Sequence, residues 1–279
     1  MISFCGLLSA SSQRKWMQVG RPATRRCRAG LVVSARLRGV EDLEKIHLDG
    51  HKRLQRELQL KPIDHSASCL GGSESFHFGP ARGYVTGFGC SDVPWVAAAE
   101  IRREGDEFVR TRLLALTAKN SVVPHLDISV NTTLDGTMLR IDMIPKVDCV
   151  EDQAYLEFYY GEGRQALWEN VTKSANAMYI NPDVNARVLE SSCCISAITR
   201  NNEKTIDLVS RAIFDSIDQW LYWVRSGYPA QGQQPSARIV SRHEDVHRLL
   251  YKIEHRSATE TFLDRDFGSQ FAAALIGPS

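Results

Sequence analysis

The chain has 279 residues, 43% of them hydrophobic and 24% charged, and a formal net charge of +1 at pH 7. That is enough chain to bury one large core or two small ones, and the lack of any run of eighteen apolar residues argues against a membrane span. Charge is unevenly distributed, because 26 basic and 33 acidic side chains lie after residue 40 and make this part −7. Nucleic acids select basic surfaces, so an acidic body predicts no nucleic-acid partner.

Residues 1–40 form a segment of different composition. They contain eight Arg or Lys residues, no Asp or Glu, several serines, and a stretch of small residues around Ser34. Organelle transit peptides have this composition. We therefore predict a disordered transit peptide at 1–40 and a single domain at 41–279. A plastid and a mitochondrial address share these features, and a basic disordered arm is the alternative.

The next elements follow from apolar periodicity. Residues 41–60 have helical spacing, with Gly50 as a candidate interruption, and the Gly-, Ser- and Pro-rich residues 61–80 predict a loop. Short turns between the strands that follow predict an antiparallel sheet. The segments that alternate polar and apolar residues as strands do are ARGYVTGFG, VPWVAAAEIRRE, FVRTRLLALTA, the hairpin PHLDISVNTTLDGTMLRIDMIPKVD, and NARVLESSCCISAITR.

Helices are predicted again after these strands. Residues 204–226 carry an apolar stripe at spacings of three and four residues. Residues 237–255 and the C-terminal segment FLDRDFGSQFAAALIG are predicted helices as well. This order of elements predicts an α+β fold in which helices cover an antiparallel sheet.

The hairpin at 124–148 has an unusual polar face. By strand alternation His125, Asp127 and Ser129 share one face of its first arm, while Arg140 and Asp142 stand among apolar neighbours in the second. A half-buried antiparallel strand normally turns its polar face to water, which is one interpretation. The other is that Arg140 and Asp142 are partly buried, and a buried carboxylate needs a partner or a chemical role.

Sequence motifs for several other chemistries are missing. The chain has no P-loop, no GxGxxG after a strand, no GxSxG elbow and no HExxH. No cysteines have metal-ligand spacing, and the adjacent Cys193 and Cys194 are interpreted as small core residues. His243 and His247 have the i, i+4 spacing of a metal site, but the charged residues around them indicate a solvated helix face, so no metal is predicted.

The hairpin and the segment after it are similar to a known family. The matching residues are Asp142, Pro145, Lys146 and Asp148 in a D-x-x-P-[KR]-x-D segment, Tyr155, Leu156, Tyr159 and Tyr160 in a Tyr-Leu-x-x-[FY]-Tyr helix, and the pair Arg164 and Gln165. On these residues the chain resembles the red chlorophyll catabolite reductases, plastid enzymes related to the ferredoxin-dependent bilin reductases. The resemblance covers about residues 70–225.

The resemblance implies a fold and a function. The fold is a bilin reductase-like α/β/α sandwich, an antiparallel sheet between two layers of helices. The activity is the ferredoxin-dependent reduction of an open-chain tetrapyrrole in the plastid stroma, red chlorophyll catabolite to primary fluorescent catabolite in chlorophyll breakdown. No cofactor is bound, because electrons come from reduced ferredoxin. Ferredoxin, chlorophyll-catabolic enzymes such as pheophorbide a oxygenase, and a second copy of the chain are the implied partners. The alternatives are a non-catalytic tetrapyrrole-binding protein on the same fold and a reductase of biliverdin.

The resemblance also implies proton donors. The family's strand acid is a Glu, and its position falls on Ser129 here, whereas Asp127 lies two residues earlier on the same strand face. A second family acid, an Asp in the C-terminal segment, falls on Asp264 or Asp266. The predicted catalytic residues are therefore Asp127, Asp264 and Asp266. Ser129 keeps the non-catalytic alternative open, because a hydroxyl group is a poor proton donor near neutral pH.

Further residues are implied to contact the substrate. A position that bears on product stereochemistry in the family follows a strand Arg by three residues, which here gives Arg187 and Glu190. The predicted substrate-binding residues are His125, Ser129, Asp142, Arg187 and Glu190. A ferredoxin with an acidic surface would need a local basic patch. The candidates are Arg102, Arg103, Arg110 and Arg112.

Overall fold

The computed structural model describes residues 29–103, 108–133, 136–227, 237–262 and 264–278, with side chains from residue 41 onward. Residues 1–28 of the predicted transit peptide lie outside this range, so that prediction stays a prediction. Residues Arg36–Ser279 form a compact unit. None of the described helices is both long enough and apolar enough to cross a bilayer.

Helices and strands follow one another along the described chain as follows. The helices are α1 (Ala29–Leu58), α2 (His65–Cys69), α3 (Gln153–Tyr160), α4 (Glu162–Ser174), α5 (Val184–Leu189), α6 (Glu203–Ser226), α7 (Ala237–Phe262) and α8 (Arg265–Ile276). The strands are β1 (Lys61–Pro62), β2 (Ser75–Phe78), β3 (Ala81–Gly89), β4 (Trp95–Arg103), β5 (Phe108–Leu116), β6 (His125–Thr132), β7 (Thr137–Ile144), β8 (Ala177–Met178) and β9 (Ile195–Thr199).

The strands form a sheet in the order β1-β3-β4-β5-β6-β7-β9-β8, with β2 also paired to β3. Every pair of neighbouring strands is antiparallel. The predicted antiparallel sheet is therefore confirmed, and the hairpin at 124–148 is the pair β6 and β7 at the centre of the site described below.

Strand alternation divides the sheet into two faces, each buried under helices. One face carries Leu126, Ile128 and Leu139 and packs against α1, α3, α4 and α6. The opposite face carries Ala97, Leu114 and other residues of β3, β4 and β5 and packs against α7 and α8. The predicted arrangement of an antiparallel sheet between two helix layers is confirmed.

Local signals explain where several helices begin and end. Asn202 caps α6 by accepting a hydrogen bond from the Thr205 backbone N–H, and Gly227, with φ +67°, ends it. Inside α6, Trp220 Nε1 donates to the Pro124 carbonyl at 2.8 Å, which fixes the helix beside the start of β6. The helix predicted at 237–255 continues to Phe262, because Ala258 and Phe262 extend its buried stripe.

Two segments differ from the sequence prediction. Residues 61–80 are not only a loop, since they include β1, α2 and β2. The strand predicted over NARVLESSCCISAITR is two elements: the short helix α5, capped by the Asp183 side chain, and then β9. Short segments of this kind carry too little periodicity to separate helix from strand. As a result Arg187 lies on a helix and not on a strand.

Candidate functional site

The polar residues of the hairpin lie together on the sheet face beneath α7. In the strand register Ser129 pairs with Arg112 of β5 and with Arg140 of β7, and Asp127 pairs with Asp142. Because alternate strand residues point to the same face, these five side chains project from one surface of the sheet. Helix α7 covers that surface, so the interpretation of the face as solvated is wrong.

Asp127 is fully buried and ion-paired with two arginines. Its Oδ1 accepts from Arg112 Nε at 2.9 Å and its Oδ2 accepts from Arg112 Nη2 at 3.1 Å, a two-point fork. Arg140 Nη1 donates to the same Oδ2 at 2.5 Å. Burial by itself would raise the pKa of Asp127, but the two guanidinium groups outweigh that effect and lower it. Asp127 is therefore held as a carboxylate.

Asp142 is the second fully buried acid and has the opposite tendency. Its Oδ1 accepts from Ser191 Oγ at 2.6 Å, and its Oδ2 accepts from Arg140 Nη2 at 3.2 Å. Burial is the largest influence on Asp142 and raises its pKa, and the nearby charge of Asp127 adds to the rise. A carboxyl group of this kind keeps its proton nearer to neutral pH.

Glu190 stands at the edge of the charge cluster that Arg112, Asp127, Arg140 and Asp142 form. It follows α5, its side chain is 21% exposed, and its Oε1 lies 3.7 Å from Arg140 Nε. Burial raises the pKa of Glu190, and the negative charge of Asp142 works in the same direction. Glu190 is thus the acid of the cluster with access to solvent.

Helix α7 contributes an acid that the sequence reading missed. Glu254 is fully buried, and its Oε2 accepts from Arg110 Nη2 at 2.9 Å and from Arg112 Nη1. A signal was present, because the buried residues of α7 are Val246, Leu250, Glu254, Ala258 and Phe262 at intervals of four. A carboxylate within an apolar helical stripe points to a buried cation on a neighbouring element.

His125 belongs to a separate group at the start of β6. It is 1% exposed, and its Nδ1 accepts from the Thr117 backbone N–H at 3.0 Å. Its ring lies 5.2 Å from that of His243 on α7. Burial, reinforced by the charge of Lys146, places the pKa of His125 well below its ordinary value. The neutral ring serves the packing of β6 against α7.

Lys146 lies next to this group, and its Nζ donates to the Ala118 carbonyl at 2.6 Å. Burial lowers the pKa of Lys146 to about 7. The resemblance singled out Lys146 only as part of a motif, and the structure shows it to be a buried lysine.

Besides His125, three predicted site residues make no hydrogen bond or ion pair with the charge cluster among the described residues. Asp264 caps α8, with Oδ1 accepting from the Phe267 backbone N–H at 2.7 Å. Asp266 is exposed in the first turn of α8, in a surface depression shared with Cys69. Arg187 is exposed on α5. Among the described residues, no hydrogen bond or ion pair connects these three to Asp127. Asp264 thus caps α8, and Asp266 supplies negative charge to the first turn of the same helix.

The basic residues considered for ferredoxin docking do not form one surface. Arg112 is buried, and Arg110 points inward to Glu254 and to Ser257 Oγ at 2.8 Å. Arg102 pairs with Glu44 and Glu100, both at 2.5 Å. Of the four candidates, Arg110 and Arg112 are therefore excluded from a ferredoxin-docking patch, and docking through Arg102 and Arg103 stays a prediction.

His243 and His247 lie on α7 and are half-buried, not on a solvated helix face. Within the described part of the chain, no group of three or more His, Cys, Asp or Glu side chains is arranged to hold a metal ion.

Comparison with known proteins gives one kind of match. No protein-family model matches the chain, and no curated protein matches it. Among solved structures, the crystal structure of phytochromobilin synthase from tomato in complex with biliverdin is similar, with 14% identity over 85% of each chain and a TM-score of 0.67. The predicted bilin reductase-like fold is confirmed: this chain has the fold of phytochromobilin synthase.

Proposed function

We propose that this protein is a plastid, ferredoxin-dependent reductase of an open-chain tetrapyrrole, acting on red chlorophyll catabolite in chlorophyll breakdown. The observation that carries the proposal is the charge cluster of the buried Asp127 and Asp142 with the partly buried Arg140 and Glu190, on a sheet with the fold of phytochromobilin synthase. Burying charged side chains costs free energy, and buried charges with shifted pKa values cluster at functional sites.

The chemistry needs two electrons and two protons for each double bond reduced. Ferredoxin supplies the electrons one at a time, and the conjugated tetrapyrrole itself accepts them, so the protein needs no bound redox group. The protein's own task is to hold the substrate and deliver protons. Asp142 and Glu190 are the proposed donors, because burial raises the pKa of both.

Asp127 has a different proposed role from the donor role predicted from the sequence. Its carboxylate is kept ionised by Arg112 and Arg140, which disfavours proton donation in this arrangement. A fixed negative charge stabilises a substrate that has gained a proton before its second electron. Asp127 is therefore proposed as the electrostatic partner of the protonated tetrapyrrole.

Two observations favour the alternatives. The similar solved structure is a complex with biliverdin, which favours biliverdin as the substrate. Ser129 stands between Arg112 and Arg140 where the resembled family has a Glu, which favours a binding protein without catalysis.

An anaerobic assay distinguishes these possibilities. The purified chain is mixed with reduced ferredoxin and either red chlorophyll catabolite or biliverdin, and the visible spectrum is followed. Bleaching of red chlorophyll catabolite supports the proposal. Reduction of biliverdin but not of red chlorophyll catabolite supports the alternative that biliverdin is the substrate. Binding without spectral change of either compound would refute both reductase functions. In that case Ser129→Glu tests whether the missing carboxyl group is the reason, because it should then restore turnover.

A further inference from the structure

Glu254 is the one acid of the site that comes from the covering helix. Its side chain is 0% exposed, and its Oε2 bonds to Arg110 and Arg112 of β5. Its other oxygen, Oε1, is buried and has no hydrogen-bond partner among the described residues. Leaving a buried carboxylate oxygen unpaired costs free energy. The contact between α7 and β5 is therefore less favourable than a fully satisfied pair would be.

The two arginines do not depend on Glu254 alone. Arg112 keeps its fork to Asp127, and Arg110 also donates to Ser257 and is 14% exposed. A carboxylate from elsewhere could therefore replace Glu254 without leaving either guanidinium group without a partner.

The space around this contact is closed. Between the described residues of β5, α7 and α8, the region next to Arg110, Arg112, Glu254 and Phe271 has no room for a water molecule. A ligand that reaches the charge cluster here must first separate Glu254 from β5. A ligand carboxylate on Arg110 and Arg112 would then supply the interaction that Glu254 gives up.

We infer that Glu254 is an internal carboxylate that closes the site, and that Arg110 and Arg112 are the receptors for a carboxylate of the ligand. This inference rests on the proposed function, since the ligand class is an open-chain tetrapyrrole with acidic side chains. Only molecules in which Glu254 has separated from β5 can bind the tetrapyrrole. The apparent affinity for the tetrapyrrole therefore falls in proportion to the fraction of molecules in that open state.

The test compares tetrapyrrole binding by the full chain and its Glu254→Gln variant. Glutamine keeps the shape and one acceptor oxygen but removes the competing charge. The probes are biliverdin, which has two free carboxylates, and its dimethyl ester, titrated by absorbance. Glu260→Gln on the same helix is the matched control, because Glu260 is exposed and pairs with Arg256 at 3.3 Å. We expect Glu254→Gln to bind biliverdin about tenfold more tightly than the wild type, with no gain for the ester.

Equal affinity of Glu254→Gln and wild type for biliverdin, or an equal gain for the ester, would overturn the inference. If neither protein binds any tetrapyrrole, the proposed function fails. Amide hydrogen exchange of α7 then tests separately whether Glu254 holds α7 against β5. Faster exchange across α7 in Glu254→Gln than in Glu260→Gln supports it, and identical exchange in the two variants refutes it.

Discussion

Arg140 on β7 donates to Asp127 on β6 through Nη1 at 2.5 Å and, through Nη2, to Asp142 on its own strand at 3.2 Å. One guanidinium group therefore serves two buried acids whose pKa values move in opposite directions. The difference arises because Asp127 has a second arginine, Arg112, whereas the other close partner of Asp142 is the neutral Ser191. Neighbouring carboxyl groups with separated pKa values allow one to remain charged while the other carries a proton.

Replacement of Asp142 by asparagine should remove a proton donor. Asparagine is nearly the same size and can still accept from Ser191, but it has no acidic proton. We expect the anaerobic turnover of the tetrapyrrole to fall about 100-fold or more, as for loss of a general acid. Asp215→Asn, at an exposed position of α6, is the control and should retain full turnover. Unchanged turnover of Asp142→Asn would mean that the proton comes from another group.

Replacement of Arg140 by methionine should destabilise the fold. Asp127 would lose one of its two buried counter-charges and Asp142 would lose a hydrogen-bond donor, and breaking a buried ion pair on one side costs about 3 kcal/mol or more. Urea denaturation at pH 7 measures this loss. The exposed Arg200 offers the control variant Arg200→Met, for which a change within about 0.5 kcal/mol is expected. A similar midpoint for both variants would show that the cluster contributes little to stability.

Acidic pH should lower the free energy of unfolding through the buried His47. Burial lowers the pKa of His47 from 6.5 to about 4, so between these values the unfolded chain binds a proton that the folded chain does not. Stability that is present above pH 6.5 is therefore lost as the pH falls towards 4, by about 2 kcal/mol between pH 7 and pH 5 for this one group.

Urea midpoints at pH 7 and pH 5 test that loss. The variant His47→Leu should lose less stability than the wild type between the two pH values, because it lacks the group that titrates. His77, which is exposed on β2, provides the control His77→Leu, which keeps His47 and should therefore still lose stability between the two pH values. Equal pH dependence of all three proteins would exclude His47 as a source.

The C-terminal helix should depend on a glycine next to Trp95. Gly277 has φ +83°, and a Cβ there would lie 2.4 Å from the Trp95 ring, whose Nε1 donates to the Leu275 carbonyl at 2.9 Å. Gly277→Ala should therefore displace the indole and destabilise the fold by about 1–3 kcal/mol beyond the cost of the backbone angle. The control is Gly71→Ala, which carries the same backbone cost because Gly71 has φ +81°, but which places no atom within 4 Å of the added Cβ. Urea denaturation followed by tryptophan fluorescence compares the two, and equal losses would refute the steric argument.

Local pattern was sufficient for much of the architecture. Alternation of side chains identified β3 to β7 and assigned His125, Asp127 and Ser129 to one face, because strand geometry has a period of two whatever the rest of the chain does. Turn signals predicted the antiparallel order, and the apolar stripe of residues 204–226 predicted α6. Short elements such as α5 were not predicted correctly, since six residues carry little periodic information.

The sequence by itself determined which polar side chains share the central strands, but only the tertiary structure decided that they are buried and how they are paired. Arg112 meets Glu254 across 142 residues of sequence, a contact that no local pattern encodes. The pKa difference between Asp127 and Asp142 likewise depends on which arginine and which serine the fold brings to each carboxyl group. The pKa of each group depends on its burial and on the charges near it, so the chemistry of the site is determined only once α7 packs on the sheet.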